Sequence, residues 1–334
     1  MKKIKVAING FGRIGRMTTR IMLNNPNIEV VAINDLTDTK TLAHLFKYDS
    51  VHRIYKGAVS HDATSMTVDG HKINFYKTPN IADLPWAALN VDVVIEATGH
   101  HLTTESCMQH IASGAKRVII SAPASDETKT IVLGINDAML TADDLIISNA
   151  SCTTNCASPM LKVLHENFIL EEAYVTTVHA YTGDQRLHDS PHKDLRRARA
   201  AAVSMIPTST GAAKAVSKVF PELTGRIGGC GIRVPVADGS LTDITCVLTK
   251  PHTPELINAA FKKACENEFK GIMEYTEDPI VSVDVVGNPH SCLFDAEFTS
   301  VVNNMVKIIG WYDNEWGYSN RLADLALKMM ALAK

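Results

Sequence analysis

The chain has 334 residues, 46% hydrophobic and 21% charged, which is enough apolar material for two globular domains. A net charge of −3 argues against a general polyanion binder, and no apolar run approaches the ~18 residues of a membrane span. Seven cysteines at irregular spacing fit a reduced compartment, and without a pair of CxxC motifs they do not suggest structural zinc. The start, Met1-Lys2-Lys3-Ile4-Lys5, is basic, but its apolar continuation is broken at once by Asn9, Gly10, Gly12 and Arg13. That is the wrong form for a secretory signal, so the expected location is the cytoplasm.

Ile4-Lys5-Val6-Ala7-Ile8-Asn9 reads as a strand, followed directly by Gly10-Phe11-Gly12-Arg13-Ile14-Gly15 and a helical stretch through Leu23. Strand, G-x-G-x-x-G and helix in that order form a dinucleotide-binding signature. The glycines permit a tight turn and close approach to a pyrophosphate, and the helix start offers N–H donors. A second strand over residues 30–33 ends in Asn34-Asp35. An acid 20 residues past Gly15 is placed to bind the adenosine ribose and to repel a 2′-phosphate, which favours NAD over NADP.

Asp69-Gly70 marks a hairpin within residues 45–80. Strand-like runs over 91–96, 116–120, 130–134 and 145–147 then alternate with a helix over 104–113 that ends at Gly114. This alternation predicts a doubly wound parallel sheet. Thr98-Gly99 and Ser121-Ala122 stand at strand ends, where such sheets bind ligands.

Ser148-Asn149-Ala150-Ser151-Cys152-Thr153-Thr154-Asn155-Cys156 follows the last of these strands and precedes residues of helical spacing. Cys152 therefore falls where a strand gives way to a helix N-terminus, a place that favours a thiolate nucleophile. Cys156 lies four residues on, with packing and a regulatory disulfide as alternative roles. Residues 172–179 alternate like a half-buried strand and end in His179, a base for that thiol.

Residues 181–203 form a long loop with basic positions up to Arg199, suited to a phosphate site or a subunit interface. In Pro207-Thr208-Ser209-Thr210-Gly211-Ala212-Ala213-Lys214 a loop opens a helix, and hydroxyls with N–H groups there make an anion site. Arg233 sits in an apolar strand and requires an anionic partner. Strands over 242–248, 280–286 and 307–311, with a helix over 254–269, suggest an antiparallel sheet covered on one face. A last helix over 321–333 carries an apolar face that needs a groove.

The Asn9-to-Arg16 motif, the 148–156 core, His179-Ala180-Tyr181-Thr182, residues 207–214, Arg233-Val234-Pro235 and residues 311–319 resemble, in order, the motifs of phosphorylating glyceraldehyde-3-phosphate dehydrogenases. The resemblance implies an α/β protein. A Rossmann-type NAD-binding domain would span residues 1–151, joined by a C-terminal helix at 316–334. A mostly antiparallel α+β catalytic domain would span 152–315. It also implies a homotetramer whose 181–203 loop lines cofactor sites across an interface, and it makes Cys152 the nucleophile and His179 its base. Arg13, Ile14, Asp35, Ser121 and Asn314 would bind NAD, Asn314 through the nicotinamide carboxamide. Ser151, Thr153, Arg197, Thr210 and Gly211 would hold the attacking phosphate, and Thr182 and Arg233 the phosphate of glyceraldehyde 3-phosphate. Membrane and nucleic acid are not implied as primary partners. Erythrose-4-phosphate dehydrogenases share the glycine motif and cysteine core and remain an alternative, as does a non-catalytic NAD- or RNA-binding module. Ala157-Ser158 and Val236-Ala237-Asp238 depart from the family's usual residues and touch no implied catalytic group.

Overall fold

A computed structural model describes residues 3–333. The expected basic start at Met1 and Lys2, the final residue Lys334 of the expected C-terminal helix, and the side chains of residues 212–214 lie outside the described residues. The chain forms two compact units. The first takes the chain to Ile131, then Ala138–Ala150, then everything from Ser319 on; the second takes Val132–Asp137 and Ser151–Tyr318.

The first unit contains β1 (Ile4–Asn9), α1 (Arg13–Leu23), β2 (Ile28–Asn34), α2 (Thr39–Lys47), β3 (Val59–His61), β4 (Ser65–Val68) and β5 (His71–Tyr76). It continues with α3 (Trp86–Leu89), β6 (Val93–Glu96), α4 (Thr104–Ala112), β7 (Arg117–Ile120) and β8 (Ile146–Ser148). The sheet order is β3-β4-β5-β2-β1-β6-β7-β8. Pairing is parallel from β5 through β8, and the β3–β4–β5 meander adds an antiparallel edge. β6 is buried at every position, as expected of a strand covered on both faces. This is the Rossmann-type sheet the strand–helix alternation predicts.

β1 is flanked by β2 on one side and β6 on the other, so the strand order reverses there and leaves a crevice beyond the strand ends. Gly10 closes β1 at φ +92, and a Cβ on it would lie 2.7 Å from the backbone of Ala97 and Thr98. Only glycine fits that approach. A Cβ on Gly15 would lie 2.2 Å from the Gly10 carbonyl, so the third glycine seats α1 against the turn. Beside the crevice, the buried Glu96 accepts from Asn9 Nδ2 at 2.6 Å and lies 3.1 Å from His110 Nε2. Trp86 Nε1 donates to His110 Nδ1 at 3.0 Å, so the Nε2 proton of that ring points to Glu96.

The Arg13 guanidinium forks onto the buried Asp49, with Nη2 to Oδ1 at 3.1 Å, and Asp49 also accepts from the N–H groups of Val51 and His52. Burial alone would raise the Asp49 carboxyl, but Arg13 and the two N–H groups outweigh it and hold it at about 2. Asp49→Asn is expected to cost about 2 kcal/mol of stability at neutral pH, since a charge-assisted pair is lost. The folded value lies below the unfolded one, so this contribution is complete above pH ~4 and fades as pH falls toward 2. Denaturation midpoints of the two chains should therefore converge over that interval.

The second unit contains α5 (Cys152–Phe168), β9 (Leu170–Ala180), β10 (Ile206–Thr208), α6 (Ala212–Val219), β11 (Ile227–Val234), β12 (Ser240–Leu248) and α7 (Pro254–Glu266). β13 (Met273–Thr276), β14 (Cys292–Val302), β15 (Met305–Tyr312) and the start of α8 (Trp316–Leu332) follow. The sheet order is β10-β11-β9-β12-β15-β14-β13, antiparallel except for the β9–β11 and β13–β14 pairs. β12 alternates buried and half-buried positions along its length, as a sheet covered on one face should. α5 packs on β9, β12, β14 and β15, and α7 on β13 and β14.

Three expected elements differ. Residues 130–134 make only a bridge from Thr130 to Ser148, because Asn136 and Asp137 side chains take the N–H groups of Val132 and Gly134. Residues 280–286 hold a 3-10 turn at Ser282–Val285, because Asp284 accepts from Val281 N–H at 2.9 Å and closes the turn. The last helix begins at Trp316, five residues earlier than its apolar spacing suggests, because the Asp313 carboxylate accepts from the N–H groups of Glu315 and Trp316. No helix among the described residues is long and apolar enough to cross a membrane.

Candidate active site

Ala150 carries the chain out of β8 at φ +55, and Ser151 caps α5 by accepting from Thr154 N–H at 3.0 Å. Cys152 is the first residue of α5. A left-handed residue followed by a cap turns the strand into the helix within three residues and presents the thiol at the helix start. α5 continues through Pro159.

His179, buried near the end of β9, places Nε2 3.4 Å from Cys152 Sγ. Its Nδ1 lies 2.7 Å from the Ala180 carbonyl and 2.5 Å from Arg233 Nη1, and Arg233 also donates to that carbonyl at 2.9 Å. β9 and β11 pair His179 directly with Arg233, which is why the two side chains meet. Burial first, then the Arg233 charge, pulls the imidazole down to about 3. The Cys152 thiol is pushed up to about 11 by burial, against the opposing pull of Arg233 and of Thr153. The helix N-terminus alone predicts a lowered thiol; in this site desolvation outweighs it.

Tyr312 was not singled out by sequence reasoning. It is buried, stands edge-on to His179 with ring centroids 5.9 Å apart, and its hydroxyl bridges Thr153 at 2.9 Å and Thr177 at 2.8 Å. The only signal for it in the sequence is its place in the 311–319 motif. Either oxygen can be the donor in the contact between Thr153 and Tyr312, so the Thr153 hydroxyl keeps capacity for a further partner.

Two guanidinium groups converge on the site. Arg233 is half-buried and forms no ion pair with a carboxylate among the described residues, so it fits an anionic ligand. Arg197 donates to Thr208 Oγ1 at 2.9 Å and to the Ser209 carbonyl at 3.3 Å, and pairs with Asp184 and Asp194. These contacts set it beside Thr210 and Gly211, where Gly211 opens α6 without a side-chain cap. Thr182 begins the long loop and donates its N–H to Gln185 Oε1 at 3.3 Å. The structure thus brings Cys152, His179, Ser151, Thr153 and Arg233 together, and sets Arg197 with Thr210 and Gly211. Asn314 lies in the same unit and takes a hydrogen bond from Ser240 Oγ at 2.6 Å.

In the first unit, Arg13 and Ile14 open α1, whose N-cap Gly12 supplies no side-chain cap. A Cβ on Gly12 would meet nothing within 4 Å, so the turn is open on the side a pyrophosphate would take. Asp35, expected to hold the ribose, also braces that turn by accepting from Phe11 N–H at 2.8 Å and from Thr37 N–H at 2.9 Å. Ser121 follows β7 and donates its N–H to the Glu96 carbonyl. These residues fit a dinucleotide.

Two family models match the chain. The model for the glyceraldehyde 3-phosphate dehydrogenase NAD binding domain matches residues 4–104, and that for the C-terminal domain of the same family matches 151–314. Glyceraldehyde-3-phosphate dehydrogenase 2 of Streptomyces avermitilis is 56% identical over 97% of this chain and 98% of its own length. The Borreliella burgdorferi enzyme is 53% identical over 98% of this chain and all of its own length. The Thermotoga maritima enzyme is 54% identical over 97% of this chain and 99% of its own.

Proposed function

The chain belongs to the glyceraldehyde 3-phosphate dehydrogenase family, and we infer from that premise how its residues divide the reaction. The reaction converts glyceraldehyde 3-phosphate, inorganic phosphate and NAD to 1,3-bisphosphoglycerate and NADH. The observation that carries the assignment is the 3.4 Å contact between Cys152 Sγ and His179 Nε2 at the start of α5.

Cys152 attacks the aldehyde carbon as its thiol proton passes to His179, which returns that proton to the former carbonyl oxygen, giving a hemithioacetal and leaving His179 neutral. His179 then removes the hemithioacetal hydroxyl proton, a general-base step worth ~10²–10⁴-fold. For Nε2 to accept, Nδ1 must carry the ring's other proton and donate it to the Ala180 carbonyl. Arg233 can only donate, so its Nη1 must leave Nδ1, and the C3 phosphate of the substrate is the anion that takes it. Bound NAD supplies the hydride acceptor. The thioester left on Cys152 is open to inorganic phosphate, held by Ser151 and Thr153 at the start of α5, and by Arg197, Thr210 and Gly211 at the start of α6. Thr182 joins Arg233 on the C3 phosphate. Arg13 and Ile14 hold the pyrophosphate, Asp35 the ribose, Ser121 lines the strand ends, and Asn314 holds the carboxamide.

The two compact units support a division into an NAD-binding domain, residues 1–151 with the helix at 316–334, and a catalytic domain, residues 152–315. Leu187, Leu195 and Val203, all more than 70% exposed, support burial of the long loop between subunits of a homotetramer. Reduced cysteines support a cytoplasmic location.

NADH formation from glyceraldehyde 3-phosphate should saturate with added phosphate and stop without it after one turnover. Sustained, phosphate-independent acid formation from erythrose 4-phosphate would instead identify the erythrose-4-phosphate enzyme.

A further inference from the structure

Ser240, fully buried at the first position of β12, sits between two groups of the site. Its Oγ accepts from Ala180 N–H at 3.1 Å and stands 2.6 Å from Asn314 Oδ1. A backbone N–H can only donate, so the serine hydroxyl uses a lone pair there and has its one proton left for Asn314. An amide N–H there would use the second lone pair and orphan the buried hydroxyl proton, because Oγ has no third partner among the described residues; the carbonyl oxygen of Asn314 facing Ser240 satisfies it. Heavy-atom positions alone leave an amide's orientation open; here the main chain settles it. Asn314 is 5% exposed, and its Nδ2 has no hydrogen-bond partner among the described residues. Ser240 pairs with Tyr312 across β12 and β15, and Ala180 closes β9, so the hydroxyl spans from the strand of the base to the residue expected at the nicotinamide.

We propose that Ser240 is a positioning residue: it holds Asn314 as a hydrogen-bond donor toward the carboxamide oxygen of NAD and ties that donor to the strand end carrying His179. The proposal rests on Asn314 holding the carboxamide. With Nδ2 as the presented group, the carboxamide oxygen must face Asn314, and one of the two rotations of that amide is selected.

The test is calorimetric titration of the full chain with NAD and with ADP-ribose, which lacks the nicotinamide. The unmodified chain should bind NAD more tightly, and Ser240→Ala should narrow the NAD to ADP-ribose ratio by about fivefold, the worth of one hydrogen bond. Its affinity for ADP-ribose should stay within about twofold, which a general packing fault would not allow. Ser240→Cys, a weaker donor, should fall between. In an Asn314→Ala background, Ser240→Ala should change the ratio no further. A second arm needs no variant: 3-acetylpyridine adenine dinucleotide keeps the carbonyl and drops the NH₂, and should match NAD within about twofold. Loss of that match to the ADP-ribose level means that Asn314 presents its oxygen, and overturns the proposal. So does a ratio unchanged by Ser240→Ala. Equal binding of NAD and ADP-ribose by the unmodified chain would overturn the Asn314 reading itself.

Discussion

Cys152→Ser is expected to lower NADH formation from glyceraldehyde 3-phosphate by at least ~10³-fold while NAD still binds, since residues that act as one catalytic unit fail together. The hydroxyl would occupy nearly the same place at the start of α5, 3.4 Å from the same imidazole. What it lacks is an accessible anion. An alcohol starts far above a thiol in pKa and is the poorer nucleophile, so the serine adds to the aldehyde far more slowly. No acyl intermediate forms, and phosphate has nothing to attack. Arg13, Ile14, Asp35 and Ser121 belong to the first unit and Cys152 to the second, so NAD titration should give an affinity within about twofold of the parent. Turnover near the parent rate would remove Cys152 from its role.

His179→Asn is expected to slow the first burst of NADH by ~10²–10⁴-fold, the usual worth of a positioned general base. The asparagine amide can still lie near Cys152 Sγ, but it cannot take a proton. Stopped-flow traces separate the burst from later turnover, and an unchanged burst would reassign the base. The same variant has a signature in stability. The His179 ring is held at about 3 in the folded chain, below the ~6.5 of the unfolded one, so its contribution is complete above pH ~6.5 and fades as pH falls toward 3. Removing the ring should flatten that part of the stability curve, read from denaturation midpoints between pH 7 and 4.

Much of this site is local, and local features can be read from sequence. The glycine turn, Asp35 and Cys152 at its helix start are each written within about 25 neighbouring residues, where strand pattern, glycine placement and capping act. His179 was readable because a strand pattern ends on it. What was not legible comes from long-range contacts. Tyr312 meets Thr153 across 159 positions, and Ser240 meets Asn314 across 74. No periodicity reports such a pairing. β13 and β14 escaped notice, and residues 280–286 imitated a strand, because the alternation of valines there is overruled by one carboxylate, Asp284. The surroundings of the Cys152 thiol divide in the same way: helix position is local, but burial is set by the whole unit.

The first unit is discontinuous, and this has a consequence for how the protein is made. Its sheet is complete once Ser148 has been synthesised, yet α8, with Leu322, Leu325, Ala326 and Met329 buried, joins that unit only from Ser319 on. Nearly all of the second unit, Ser151–Tyr318, must leave the ribosome in between, roughly ten to thirty seconds at ~5–20 residues per second. Through that interval the nascent first unit presents uncovered apolar surface, and the second unit folds before the first is finished. The order of birth and the order of completion are therefore opposite. The waiting surface is where a chaperone, or a neighbouring nascent chain, would find this protein.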